Sequence, residues 1–175
     1  MRELTIVAIF PALMAATAWI AIPVGVGAPI TLQTLFAMLA GLILGERLGS
    51  LSMIIYVILG LIGLPVFAGM QGGLGVILGP TGGFILSFIL MAFFIGKMKN
   101  VKIINNEKVR LFIILTISNV IVYMIGGSYL MFSLNLNLAS TGAVLSPYFL
   151  GDFIKILVAL YVYVLIRTKI TYEGA

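Results

Sequence analysis

The chain has no cysteine and no histidine, and only 9% of its 175 residues are charged. Without thiols there is no disulfide, no thiolate nucleophile and no cysteine-ligated zinc. Without imidazole the commonest acid–base group and a common metal ligand are gone too. No metal site is expected. The shortage of charge excludes a water-soluble globule, because 62% hydrophobic residues and a mean hydropathy of +1.27 leave too little polar side chain to cover a wetted surface. The expected fold class is an all-α integral membrane protein folded as one transmembrane domain over residues 1–175. A net charge of +5 would suggest nucleic acid in a soluble protein, but here it is first a matter of topology, and no nucleic-acid partner is expected.

Set against the roughly 20 residues that cross a bilayer, the apolar runs predict a six-transmembrane-helix bundle with spans at residues 4–24, 29–45, 48–65, 81–96, 111–131 and 147–166. The first run has no small-residue cleavage site behind it, so it is expected to be a span and not a cleaved signal peptide. Between the second and third, Gly45-Glu46-Arg47-Leu48-Gly49 predicts a tight charged turn. The charges carry the orientation. Arg2 and Glu3 precede the first span, Glu46 and Arg47 follow the second, Lys97, Lys99, Lys102, Glu107, Lys108 and Arg110 separate the fourth and fifth, and Arg167, Lys169 and Glu173 follow the last. The other three connections carry none. The positive-inside rule then places both termini in the cytoplasm.

One uncharged connection, FAGMQGGLGVILGPTGG from Phe67 to Gly83, holds seven of the twenty glycines. Such a run suits a phosphate cradle, but this one lacks the Lys-Ser/Thr ending of a P-loop and falls on the outer side, away from ATP. Irregular backbone at membrane depth persists only when buried in protein or lining a cavity. The loop is therefore expected to cap an outward-facing cavity, with Gly72, Gly73 and Gly75 forming its gating segment and Gln71 its only side-chain amide.

Of the ten basic and five acidic residues, only Asp152 and Lys155 fall inside a span. With Pro147 opening that helix and Ser146 capping it, the two would lie about 8 and 12 Å inside the helix start, in the outer half. Each would cost about 3 kcal/mol near a helix centre, so both are expected to face a bundle interior or wet cavity. The bland alternative is a structural ion pair, three positions apart on one face. A solute with its own carboxylate and N–H donors would use both, lysine meeting the anion and aspartate the donors. Asn119 and Tyr123, with Thr116 on the same face, and Gln33 and Thr34 in the second span are the other candidate contacts. Tyr148, Tyr129 and Trp19 are read as interface anchors. Ala8, Ala12 and Ala16 make a small-residue stripe on the first helix, suited either to packing in the bundle or to docking a partner membrane protein.

Three segments carry a family resemblance: PITLQTLFAMLAGLILGERLG (Pro29 to Gly49), GLIGLPVFAGMQGGLGVILGPTGGF (Gly60 to Phe84) and SPYFLGDFIKILVA (Ser146 to Ala159), with NVIVYMIG (Asn119 to Gly126) beside them. Together they resemble the BioY family, the substrate-binding S-components of energy-coupling factor (ECF) biotin transporters. The resemblance implies a six-helix S-component in a prokaryotic cell membrane that captures biotin with high affinity on its outer side. It also implies docking on a transmembrane coupling subunit with two ATPase subunits that use the ATP. Asp152 and Lys155 match the family's acid and lysine that contact biotin, and Gln71 the amide of its glycine loop. No arginine lies inside any span to meet the carboxylate as a further cation.

Two alternatives stay open from the residues. An S-component for thiamine or riboflavin would share the scaffold, although Tyr161 and Tyr163 lie toward the inner end of the last span, away from such a flat-ring ligand. An intramembrane Ser-Lys hydrolase could be drawn from Ser146 and Lys155, but nine residues, about 13 Å along one helix, separate them. The chain is therefore not expected to be an enzyme, and with no nucleotide motif of its own its energy must come from elsewhere or transport must be downhill.

Overall fold

The computed structural model describes residues 2–24, 27–101 and 104–173, with side chains from Thr5 to Arg167. The side chains of Arg2, Glu3, Lys102, Lys169 and Glu173, all part of the charge map, lie outside the described ones. In chain order the elements are α1 (Arg2–Ala16), β1 (Ala21–Ile22), β2 (Ile30–Thr31), α2 (Gln33–Leu61), α3 (Leu74–Leu78), α4 (Gly82–Met98), α5 (Glu107–Ser133) and α6 (Leu138–Glu173). Helices α2, α5 and residues 138–167 of α6 are each long and apolar enough to cross a membrane, and α1 and α4 are shorter apolar helices. Inner faces meet in a core that includes Met14, Met38, Met53, Tyr56, Phe88, Met91, Ile95 and Leu115. Outer faces expose Ile9, Ile58, Leu90, Phe93, Ile117, Met124, Leu157 and others. In water so large an apolar surface would drive aggregation; in lipid it is solvated.

The first apolar run does not stay helical to residue 24. α1 ends at Ala16, and β1 pairs antiparallel with β2, Ala21 opposite Thr31 and Ile22 opposite Ile30. Pro23, Gly27 and Pro29 cannot sustain a helix, so the chain pairs here as two short strands. Within α1, Pro11 has no N–H to offer the carbonyl four residues back, which belongs to Val7. The fully buried Ser52 of α2 fills the vacancy, its Oγ donating to Val7 O at 2.7 Å.

α2 is broken at Gly45, whose φ of 82° and ψ of −173° fall where only glycine sits without strain. The break coincides with the charged turn expected there from the sequence. α4 passes so close that a Cβ on Gly96 would overlap the Gly45–Glu46 backbone. The break leaves carbonyls of the first half of α2 without helical partners, and Lys99 Nζ donates to Leu42 O at 2.7 Å. Burial, and then the charge of Arg167, hold the Lys99 ammonium below the usual lysine range. Nearby, Arg167 pairs with Glu107, tying the end of α6 to the start of α5.

The last helix differs most from expectation. It begins at Leu138, where Asn137 Oδ1 accepts from Ser140 N at 2.8 Å, and Pro147 lies inside it. Ser146 is therefore not a cap. Its hydroxyl donates to Ala143 O at 2.9 Å, the carbonyl that Pro147 leaves without a partner. Asp152 and Lys155 consequently sit about 21 and 26 Å along the helix from its start, deeper than a helix opening at Pro147 would put them.

Candidate functional site

Between the hairpin, the glycine loop, α2, α4, α5 and α6 lies a cavity of about 800 Å³. That is within the range of small-molecule sites. Apolar walls come from Pro23, Val24, Ile30, Phe67, Val76, Phe84, Ile85, Phe88 and Val122. The polar groups on the walls are Thr31, Gln33, Thr34, Gln71, Thr81, Tyr123, Tyr148, Asp152 and Lys155.

Asp152 and Lys155 face this cavity and are also paired with each other, Nζ to Oδ1 at 2.7 Å, with both side chains largely buried. Their i, i+3 spacing on α6 puts them on one face. Four donors converge on the Asp152 carboxylate. Oδ1 receives Lys155 Nζ and Thr34 Oγ1 (3.3 Å), and Oδ2 receives the Tyr123 hydroxyl and Asn119 Nδ2 (3.5 Å). Lys155 also donates to Thr34 Oγ1 at 3.0 Å, closing a ring of three side chains from α2 and α6. This density of donors offsets the loss of water around the carboxylate among apolar walls. Among the described residues, two buried amide atoms have no hydrogen-bond partner: Gln33 Nε2, next to Thr34 in the chain, and Asn119 Oδ1.

The structure sorts the remaining candidates. Gln33, Thr34 and Tyr123 line the cavity, whereas Asn119 is buried behind Asp152 and off the wall. Thr116 does not share the site: it is exposed and its hydroxyl bonds Phe112 O at 2.8 Å within its own helix. Tyr148 is no interface anchor. It is buried, lines the cavity and donates to Ala28 O in the hairpin segment. Its signal in the sequence was its place four residues before Asp152, on the same face. Tyr129 donates to Ile77 O at 3.2 Å, bracing α3 against α5, and Trp19 is exposed. The hairpin as a wall was missed because two-residue strands carry no periodicity to detect.

The glycine loop is tied down on three sides. Phe67 and Gln71 exchange backbone hydrogen bonds, Gly69 N donates to Ala18 O at 2.8 Å, and Gly73 N donates to Gly60 O at 2.6 Å. Phe67 is fully buried, edge-on to Tyr56 at 5.5 Å. Gly72 and Gly75 line the cavity while Gly73, at φ 95°, turns the chain beside them, and the Gln71 side chain is exposed at the rim. On α1 the residues Val7, Phe10, Pro11 and Met14 are buried, and Ala8, Ala12 and Ala16 are exposed on the other face. Ser146 is exposed and far along α6 from Lys155, so no serine–lysine pair forms.

A lipid-solvated helical bundle enclosing one ion pair and a set of neutral polar groups in an apolar cavity defines a solute-binding membrane protein. Residues 1–172 match the model of the BioY family, and the chain belongs to that family. It is 40% identical over 154 residues to the probable biotin transporter BioY of Pyrococcus horikoshii, covering 88% of this chain and 89% of that one. To the biotin transporter BioY of Thermotoga maritima it is 48% identical over 102 residues, 58% of this chain and 60% of that one. The crystal structure of the S-component for biotin from an ECF-type ABC transporter superposes with a TM-score of 0.87 at 31% identity, covering 95% of this chain and 91% of that one. The chain is a multi-pass protein of a prokaryotic cell membrane.

Proposed function

We propose that the chain captures biotin in this cavity and delivers it to the cell as the substrate-binding subunit of an ECF-type transporter. It has no catalytic role. The observation that carries this is the Asp152–Lys155 pair facing an apolar cavity of small-molecule size. The 2.7 Å separation of the two groups supports a reading in which both address one end of an elongated ligand. Asp152 and Lys155 then meet the bicyclic head, whose ureido group has N–H donors and a carbonyl acceptor side by side. Gln33 and Tyr123 complete that end, Asn119 holds Asp152 from behind, and Gln71 lies at the mouth with the loop glycines Gly72, Gly73 and Gly75 as the movable cover.

Six passes with both termini in the cytoplasm are part of the proposal, supported by the charge-free outer connections and the break at Gly45. So is docking through Ala8, Ala12 and Ala16 on a transmembrane coupling subunit, whose two ATPase partners hydrolyse ATP. The exposure of all three alanines supports it. The test is titration of purified chain in detergent. Biotin is expected to bind tightly, with Asp152→Ala weakening it well over about tenfold because ureido donors would be left unpaired in a dry site. Equal affinity of variant and parent would remove the assignment.

A further inference from the structure

Asp152 and Lys155 are the only charged residues among those described as lining the cavity, and they neutralise each other. The sequence extends the point. Residues 4–45, 48–96 and 111–151, which include all three outer connections, contain no charged side chain. Nothing along the hairpin or the glycine loop can form an ion pair with a ligand carboxylate.

A carboxylate pushed down to Lys155 would bring a second anion beside Asp152, which already occupies that ammonium at 2.7 Å, and would leave an uncompensated negative charge among apolar walls. The ureido head brings no charge. On the cavity wall it shares with the pair it meets neutral polar side chains, among them Gln33, Thr34 and Tyr123. Head-in binding places the carboxylate at the end of its four-methylene chain, toward the mouth. On the glycine loop Gly69, Gly72, Gly75 and Gly79 offer no side chain and Gln71 only an amide, so the loop lining presents no cation to the carboxylate.

We propose that this site does not read the charge of the ligand's tail, and that it takes carboxyl-masked biotin, primary amides and small esters, as a second class of ligand alongside the free acid. The inference rests on biotin binding in this cavity. It is tested on the full-length wild-type chain in detergent by titration with biotin, biotinamide, biotin methyl ester and 2-iminobiotin. Biotinamide is nearly isosteric with the acid and so isolates the charge. Affinities for biotinamide and the methyl ester within about tenfold of biotin are expected. 2-Iminobiotin, whose head is a guanidinium, is expected to lose more than about a hundredfold beside Lys155. A loss beyond about tenfold for biotinamide overturns the proposal and assigns the carboxylate to Lys155. No binding of biotin itself would instead overturn the function proposed above, so the two failures are distinct.

Discussion

Lys155 shows what holds the cluster together. Its ammonium has Asp152 on one side and Thr34 on another, and Asp152 has Tyr123 and Asn119 on its second oxygen. Removing one member of a buried pair strands the other, at a cost of about 3–5 kcal/mol, while removing both charges together is close to neutral. Lys155→Met is therefore expected to lower the stability of the ligand-free protein by that order, and Asp152→Asn with Lys155→Met to recover most of it. Thermal unfolding in detergent decides this; a double variant as unstable as the sum of the two single changes would mean the pair is not coupled. Thr34, a candidate contact from the sequence, is the hydroxyl common to both charges, and that bridge was not readable there because its contact with Asp152 spans 118 residues.

Within the helices, a recurrent arrangement handles proline in lipid. Pro11 and Pro147 each leave a carbonyl without its N–H, and Ser52 and Ser146 each donate to the carbonyl so freed. In water such a carbonyl would be hydrated; in a bilayer it must be met by protein. Ser52→Ala is expected to cost about 1–3 kcal/mol by stranding the buried Val7 carbonyl. In a Pro11→Ala background, where residue 11 regains its N–H, that cost should vanish. If Ser52→Ala is equally harmful in both backgrounds, the hydroxyl has some other role. The break in α2 is likewise specific: Gly45→Ala forces a side chain into a glycine-only conformation and is expected to cost about 1–3 kcal/mol, seen as a fall in melting temperature.

For the molecule as a whole, the proposed docking would separate two tasks on α1 by face. Val7, Phe10 and Met14 pack inward, and Ala8, Ala12 and Ala16 lie outward, away from the cavity walls. Ala12→Leu is therefore expected to leave biotin affinity unchanged while abolishing co-purification with the coupling subunit. Loss of both together would indicate that the stripe belongs to the bundle instead. The cavity likewise belongs to the assembled molecule, because its walls come from the hairpin, the glycine loop and four of the helices.

The bilayer, the charge-free connections and the two charged residues that needed a reason to sit in an apolar run were all legible in the amino-acid order. Each follows from transfer of side chains between water and lipid, a property carried residue by residue. Pairing was not. Whether Tyr148 faced lipid or the cavity, whether Asn119 touched the cavity or stood behind Asp152, and whether Pro147 opened a helix or sat inside one depended on helix rotation and on a hydroxyl being within reach. Those are settled by packing between segments far apart in the chain, where a rotation of one residue step, about 100°, turns a wall into an outer face.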